Sequence, residues 1–161
     1  MNLDLRGKRA VVGGSTQGIG KASAIELAQL GATVTLLSRN EEKLRAVLKE
    51  LPTPANQTHN YLVADFNNPD QLKSAIQLFT KTNAVHILVN NTGGPPAGPA
   101  IDASPEDFIK AFTSHLICNQ ILVQAVVGGM KQAAFGRIIN IISTSVKVPL
   151  KGLGVSNTTR G

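Results

Sequence analysis

The chain of 161 residues has one cysteine, no tryptophan and one tyrosine, and each scarcity removes an explanation. The lone thiol, Cys118, has no second cysteine to pair with, so no internal disulfide staples the fold. It sits in an apolar helical stretch, which marks it as core packing rather than a reactive group. No apolar run approaches membrane-spanning length, because the stretch 121–127 is interrupted by Gln124 and ends at Gly128-Gly129. The opening Met1-Asn2-Leu3-Asp4-Leu5-Arg6 lacks the apolar block of a secretion signal. Together these absences predict a cytoplasmic protein with no membrane partner.

Acidic residues are missing from the last third. All ten lie at or before Asp107, as do ten of the sixteen basic residues, so the net charge of +6 comes entirely from positions 110–160. The bases there are scattered and not interleaved with aromatics, which excludes a nucleic-acid footprint. A solvated face explains them most simply; attraction for an anionic cofactor or acyl carrier is the sharper alternative. Metal chemistry has no support either, since His59, His86 and His115 lack ligand spacing. Gly14-Ser15-Thr16 does not match a nucleophile elbow, so a serine hydrolase is not expected.

Five short β-branched, apolar segments are present: Ala10–Gly13, Thr33–Leu37, Tyr61–Ala64, Val85–Val89 and Arg137–Ile142. Their continuous hydrophobicity predicts parallel strands buried on both faces. Helical patterns separate them. The first runs from Gly18 to Leu30 and ends at Gly31; the second opens at Asn68-Pro69 and runs towards Lys81; the third opens at Ser104-Pro105 and continues through Met130. The βαβαβαβαβ order predicts one α/β domain over 1–161, a doubly wound, Rossmann-like parallel sheet of at least five strands. Its ligand belongs at the C-terminal ends of the strands.

The segment joining the first strand to the first helix is Gly13-Gly14-Ser15-Thr16-Gln17-Gly18-Ile19-Gly20. Glycines at 14, 18 and 20 permit a tight turn and close backbone approach, and the helix start offers unpaired N–H groups to a diphosphate. The spacing is G-x-x-x-G-x-G, not the G-x-G-x-x-G of the dinucleotide fingerprint. After the second strand come Ser38-Arg39, where an NAD site would place an acid. A hydroxyl and a guanidinium suit a 2′-phosphate, which predicts NADP(H); a merely solvated arginine is the plainer reading. Asp65 closes the third strand, placed either to meet an adenine amino group or to cap its own turn. Asn90-Asn91-Thr92-Gly93-Gly94 closes the fourth, with glycine for close approach to a flat cofactor and asparagine to satisfy loop backbone.

In combination these motifs resemble the short-chain dehydrogenase/reductase family, with acyl-carrier-protein ketoreductases as familiar members. The resemblance runs from Leu5-Arg6-Gly7-Lys8 onward and includes Gly136-Arg137-Ile138-Ile139-Asn140-Ile141 before a serine. It implies hydride transfer between NADP(H) and a small-molecule carbonyl or secondary alcohol, including 3-oxoacyl thioesters. Ser15, Gln17 and Ile19 would line the pyrophosphate, Asn90 would face the ribose, and Ser143 would contact the substrate carbonyl.

The resemblance fails at the catalytic positions. The family places a tyrosine thirteen residues after the serine and a lysine four later; here those positions hold Ser156 and Arg160. Its supporting asparagine falls on His115. A serine hydroxyl is a far weaker acid than tyrosine, and arginine holds ribose hydroxyls without exchanging protons. His115 is either an alternative acid or a helical histidine that supports the site structurally. A nucleotide-binding pseudoenzyme, a sensor or an assembly subunit, is therefore the competing expectation. The helix carrying Ser156–Arg160 is just under way at Gly161, so the chain is expected to be incomplete at its C-terminus, and its fifth strand to present an apolar edge. The full-length form is expected to be a homo-oligomer.

Overall fold

A computed structural model describes residues 3–160. The strands are β1 (Arg9–Gly13), β2 (Thr33–Ser38), β3 (Asn60–Val63), β4 (Ile87–Asn90) and β5 (Arg137–Asn140). They form one sheet in the order β3-β2-β1-β4-β5, every pair parallel. The chain moves outward from β1 to β3, then crosses back to place β4 on the other side of β1. That reversal opens a crevice at the strands' C-terminal ends, where a doubly wound sheet holds its ligand.

Both faces of the sheet are covered over β1, β2 and β4. On one, Ala10, Val12, Val34 and Leu36 pack against α1 (Gly18–Gln29) and α2 (Glu41–Leu48) through Ala24, Ala28, Leu44 and Val47. On the other, Val11, Leu37 and Leu88 meet α3 (Pro69–Thr80) through Leu72 and Ile76, and the helix over Cys118–Gln132 through Leu122 and Val126. Alternate residues of β1 thus serve opposite layers, as the period of two requires. Both faces of β1 are apolar, which is why that strand reads as an unbroken hydrophobic run.

Helix ends follow local chemistry. Asn40 accepts from Lys43 N at the start of α2, an element whose ends the sequence pattern left open. Asn68 caps α3, with Pro69 at its first position. Ser104 and Asp107 form a reciprocal capping box on α4 (Pro105–Phe112). Gly31, at φ +95°, ends the first helical segment after Leu30.

Three expectations are corrected. The helix expected from Ser104 through Met130 is not uniformly α: a π-turn over Thr113–Ile117 joins α4 to α5 (Cys118–Gln132). Ser114 and Cys118 both aim their side chains at the carbonyl of Phe66, and the wider turn accommodates that shared target. Second, Pro105–Gln132 is long and apolar enough to cross a membrane by length and composition, despite Gln124 and the glycine pair. Its Cys118, Leu122, Val126 and Met130 are buried in the core. Third, β5 is an edge strand whose four residues are all exposed, not a doubly buried one. It ends at Asn140, and Ile138, Ile139 and Ile142 are 39%, 44% and 60% exposed.

Candidate functional site

A cleft of about 460 Å³ lies at the C-terminal ends of β1 to β4, walled on the far side by α4 and the π-turn. Gly14, Gln17, Ser38, Arg39, Asp65, Gly93 and His115, all expected site residues, line it. Thr16, Lys110 and Ser114 line it as well, and the sequence reading did not single them out. Their positions in a turn and on a helix face carry no chemical signature by themselves.

The glycine turn forms for a steric reason. Gly14 and Gly18 have φ of +55° and +54°, a region that a side chain makes costly. A Cβ on Gly14 would stand 2.7 Å from Asn91 Nδ2, and one on Gly20 would strike the Gly14 carbonyl. Asn91 closes the arrangement by donating to Gly13 O at 3.2 Å and Gly14 O at 3.4 Å. α1 begins beside this turn at Gln17, and no side chain caps it, whereas α2, α3 and α4 are each capped. Its first N–H groups and its dipole are left to meet an anion in the cleft.

Other expected contacts are used differently. Ser15 is fully buried, and its Oγ accepts from Leu37 N at 3.0 Å and donates to Leu37 O. Its side chain thus ties the turn to β2 and does not line the cleft, contrary to the expected pyrophosphate contact. Ile19, the second residue of α1, leaves its side chain 61% exposed. Asn90 does not present its amide to the cleft: it is buried and donates to Asn140 Oδ1 at 2.8 Å, with its own Oδ1 lacking a protein partner. Asp65 Oδ1 accepts from Asn67 N and Nδ2 at 2.9 and 3.0 Å, which is the turn-capping alternative. Its Oδ2 faces Arg39 Nη1 at 4.0 Å.

The positions for chemistry are split. His115 lines the cleft, while Ser143, Ser156 and Arg160 stand beyond its lining, on the segment after β5. Ser143 caps the short turn Thr144–Val146 and accepts from Ser145 Oγ at 2.7 Å. Ser156 is buried in α6 (Gly154–Thr159). Arg160 donates to Ile141 O at 3.2 Å. Burial, and then the Arg160 charge, hold the His115 imidazole down to about 4. It is therefore neutral near pH 7 and a poor proton donor there. Among the described residues no three His, Cys, Asp or Glu side chains gather closely enough to hold a metal ion.

A crevice at the sheet's switch point, a glycine turn and an uncapped helix start are general to dinucleotide folds. The comparison that decides the family is a match to the short chain dehydrogenase model over residues 8–159. The chain belongs to the short-chain dehydrogenase family. It is 33% identical over 156 residues to "Inactive hydroxysteroid dehydrogenase-like protein 1" of Homo sapiens, covering 96% of this chain and 47% of that protein. It is 31% identical over 161 residues to "Uncharacterized oxidoreductase YvaG" of Bacillus subtilis, covering 99% and 60% respectively. A solved gluconate 5-dehydrogenase of Burkholderia cenocepacia, in complex with NADP and tartrate, superposes with a TM-score of 0.87 at 30% identity. That match covers 99% of this chain and 63% of the other. The chain thus spans about half to three fifths of the curated relatives named here.

Proposed function

We propose that this short-chain dehydrogenase chain binds NADP(H) and serves hydride transfer between the nicotinamide and a small-molecule carbonyl or secondary alcohol. The observation that carries the reading is the uncapped start of α1 facing the Gly14 turn, with Arg39 beside it at the end of β2. The residues fit the group: side chains at Gly14 or Gly20 would collide with Asn91 and the turn's own carbonyls, so the turn stays open backbone, and the residues that follow the β2 strand begin with an arginine where an NAD site would place an acid. The NADP-bound gluconate 5-dehydrogenase of like fold supports it.

In this reading the α1 N–H groups hold the pyrophosphate, and Ser38 and Arg39 hold the 2′-phosphate. The cofactor supplies the hydride. Ser143, its Oγ already accepting from Ser145, would polarise the substrate carbonyl by donating a hydrogen bond, with the proton of reduction drawn from solvent. Arg160 holds charge without releasing a proton.

One observation favours a second reading, a nucleotide-binding subunit without turnover. The proton-donor positions hold a buried serine and a neutral histidine, and neither is a competent acid near pH 7. The human relative's printed name includes "Inactive".

Oxidation of NADPH with a panel of ketones and 3-oxoacyl thioesters separates the two. Carbonyl-dependent oxidation abolished by Ser143→Ala establishes the enzyme. Tight NADPH binding with no turnover on any carbonyl establishes the subunit. Absence of NADPH binding defeats both.

A further inference from the structure

The end of the cleft away from Arg39 carries two cations, Lys110 in its lining and Arg160 beside it. The guanidinium of Arg160 lies beside the wall formed by Thr92–Gly94: its Nη1 stands 3.6 Å from where a Cβ on Gly94 would be. Nη2 donates to Ile141 O, which uses one of five donors. The group is partly buried, and desolvation lowers its pKa. Its charge also reaches His115 across the cleft wall.

Among the described residues, no Asp or Glu side chain forms an ion pair with Arg160. Neither of the two acids that line the cleft pairs with Arg160, although the Lys110 charge reaches Asp107. Asp65 faces Arg39, and Asp107 Oδ2 accepts from Ser104 N and Oγ at 3.0 and 2.9 Å. Lys110 also lines this cleft and has no ion pair among the described residues. A guanidinium taken out of water without a counter-ion is costly. A neutral hydroxyl cannot offset that charge, whereas a carboxylate matches the guanidinium fork with two parallel hydrogen bonds.

We propose that the substrate taken beside NADP(H) is a carboxylic acid, a hydroxy or oxo acid, whose carboxylate is bound by Arg160 with Lys110 adding to the field. This rests on the NADP(H) reading for its placement beside a nicotinamide. The binding of the acid itself is measured independently.

The test is thermal stabilisation of the chain, with and without saturating NADPH, by two matched pairs: gluconate against glucitol, and glycerate against glycerol. Gluconate and glycerate are expected to raise the melting temperature in a saturable way that weakens with added salt, and the polyols are not. Arg160→Gln is expected to weaken the apparent affinity for the acids about tenfold or more, the scale of one lost charge-assisted pair. Arg160→Lys retains part of it, and Lys110→Gln lowers it by a smaller factor. Equal shifts from acids and polyols overturn the proposal. So does an acid response that survives in Arg160→Gln, or an Arg160→Gln variant that loses only its NADPH response. If Arg160→Gln does not fold, Arg160→Lys and the salt dependence of the wild type decide. Failure of NADPH alone to stabilise the wild type defeats the cofactor reading, while the cofactor-free arm still decides the acid.

Discussion

Arg39 and Asp65 face each other across one end of the cleft, Nη1 to Oδ2 at 4.0 Å. The pair is long and largely exposed, so it adds little to stability. Its effect is on selectivity: the carboxylate offsets part of the charge that a 2′-phosphate would meet. Arg39→Ala is expected to weaken NADPH roughly ten- to a hundredfold, the scale of losing hydrogen bonds to a charged group, and to leave NADH nearly unchanged. Asp65→Asn is expected to shift preference further towards NADPH. Equilibrium titration of both dinucleotides against both variants checks this; equal loss of the two in Arg39→Ala would refute the assigned role.

Asn91 governs the turn itself. Its amide holds the Gly13 and Gly14 carbonyls, so Asn91→Ala should cost about 1–3 kcal/mol by stranding two partly buried acceptors. The stabilisation conferred by NADPH should shrink with it, because the anion-facing backbone loosens. Urea unfolding with and without NADPH measures both effects. A variant with unchanged cofactor stabilisation would show that the turn is held by other means.

His115 sets part of the acid limit of stability. Its folded-state pKa, about 4, is below the ordinary 6.5 because burial and then Arg160 disfavour the imidazolium. The unfolded chain therefore binds the proton first as pH falls. The contribution is fully present above pH 6.5 and is lost progressively towards pH 4. His86 is lowered as well, by burial and then by Lys8 and Arg9, and acts in the same sense. Unfolding midpoints of His115→Gln should fall less steeply than wild type between pH 7 and 4.5. Parallel slopes would contradict the burial of the ring.

Gly154 joins α6 to the loop after β4. Gly154 N donates to Gly98 O at 2.9 Å, Gly98 N donates to Gly152 O at 2.6 Å, and a Cβ on Gly154 would collide with the Ala100 backbone. Gly154→Ala is expected to cost about 1–3 kcal/mol through overpacking. It should also expose residues 150–160 to limited proteolysis, while the sheet's far-UV signal is retained. Wild-type protease resistance in this variant would show that the loop yields without consequence.

Much of this was legible in the residues, and for local reasons. Gly31, Asn68-Pro69 and the Ser104 box mark helix ends because caps act within a single turn. The strands were readable because both faces of a central parallel strand must be apolar. For β5 the expected apolar edge is present, and only the burial on both faces fails: an apolar run specifies a strand and does not say whether a neighbour covers it. The π-turn at Thr113–Ile117 escaped a local pattern; its Ser114 side chain donates both to Lys110 O and to Phe66 O, 48 residues away. Ser15 and Asn90 were given ligand contacts by their motifs, yet each is committed to a strand residue distant in sequence, Leu37 and Asn140.

The order of apolar runs and turn glycines, read alone, determined the parallel α/β architecture and the place of the dinucleotide turn, since strand pattern and positive-φ backbone are properties of short segments. Only the tertiary structure decided which polar side chains are left to face the cleft. Hydrogen-bond partners and burial are settled by residues far apart along the chain, and these spend Ser15 on β2 and neutralise His115. Among the described residues they also leave Arg160 without an Asp or Glu partner.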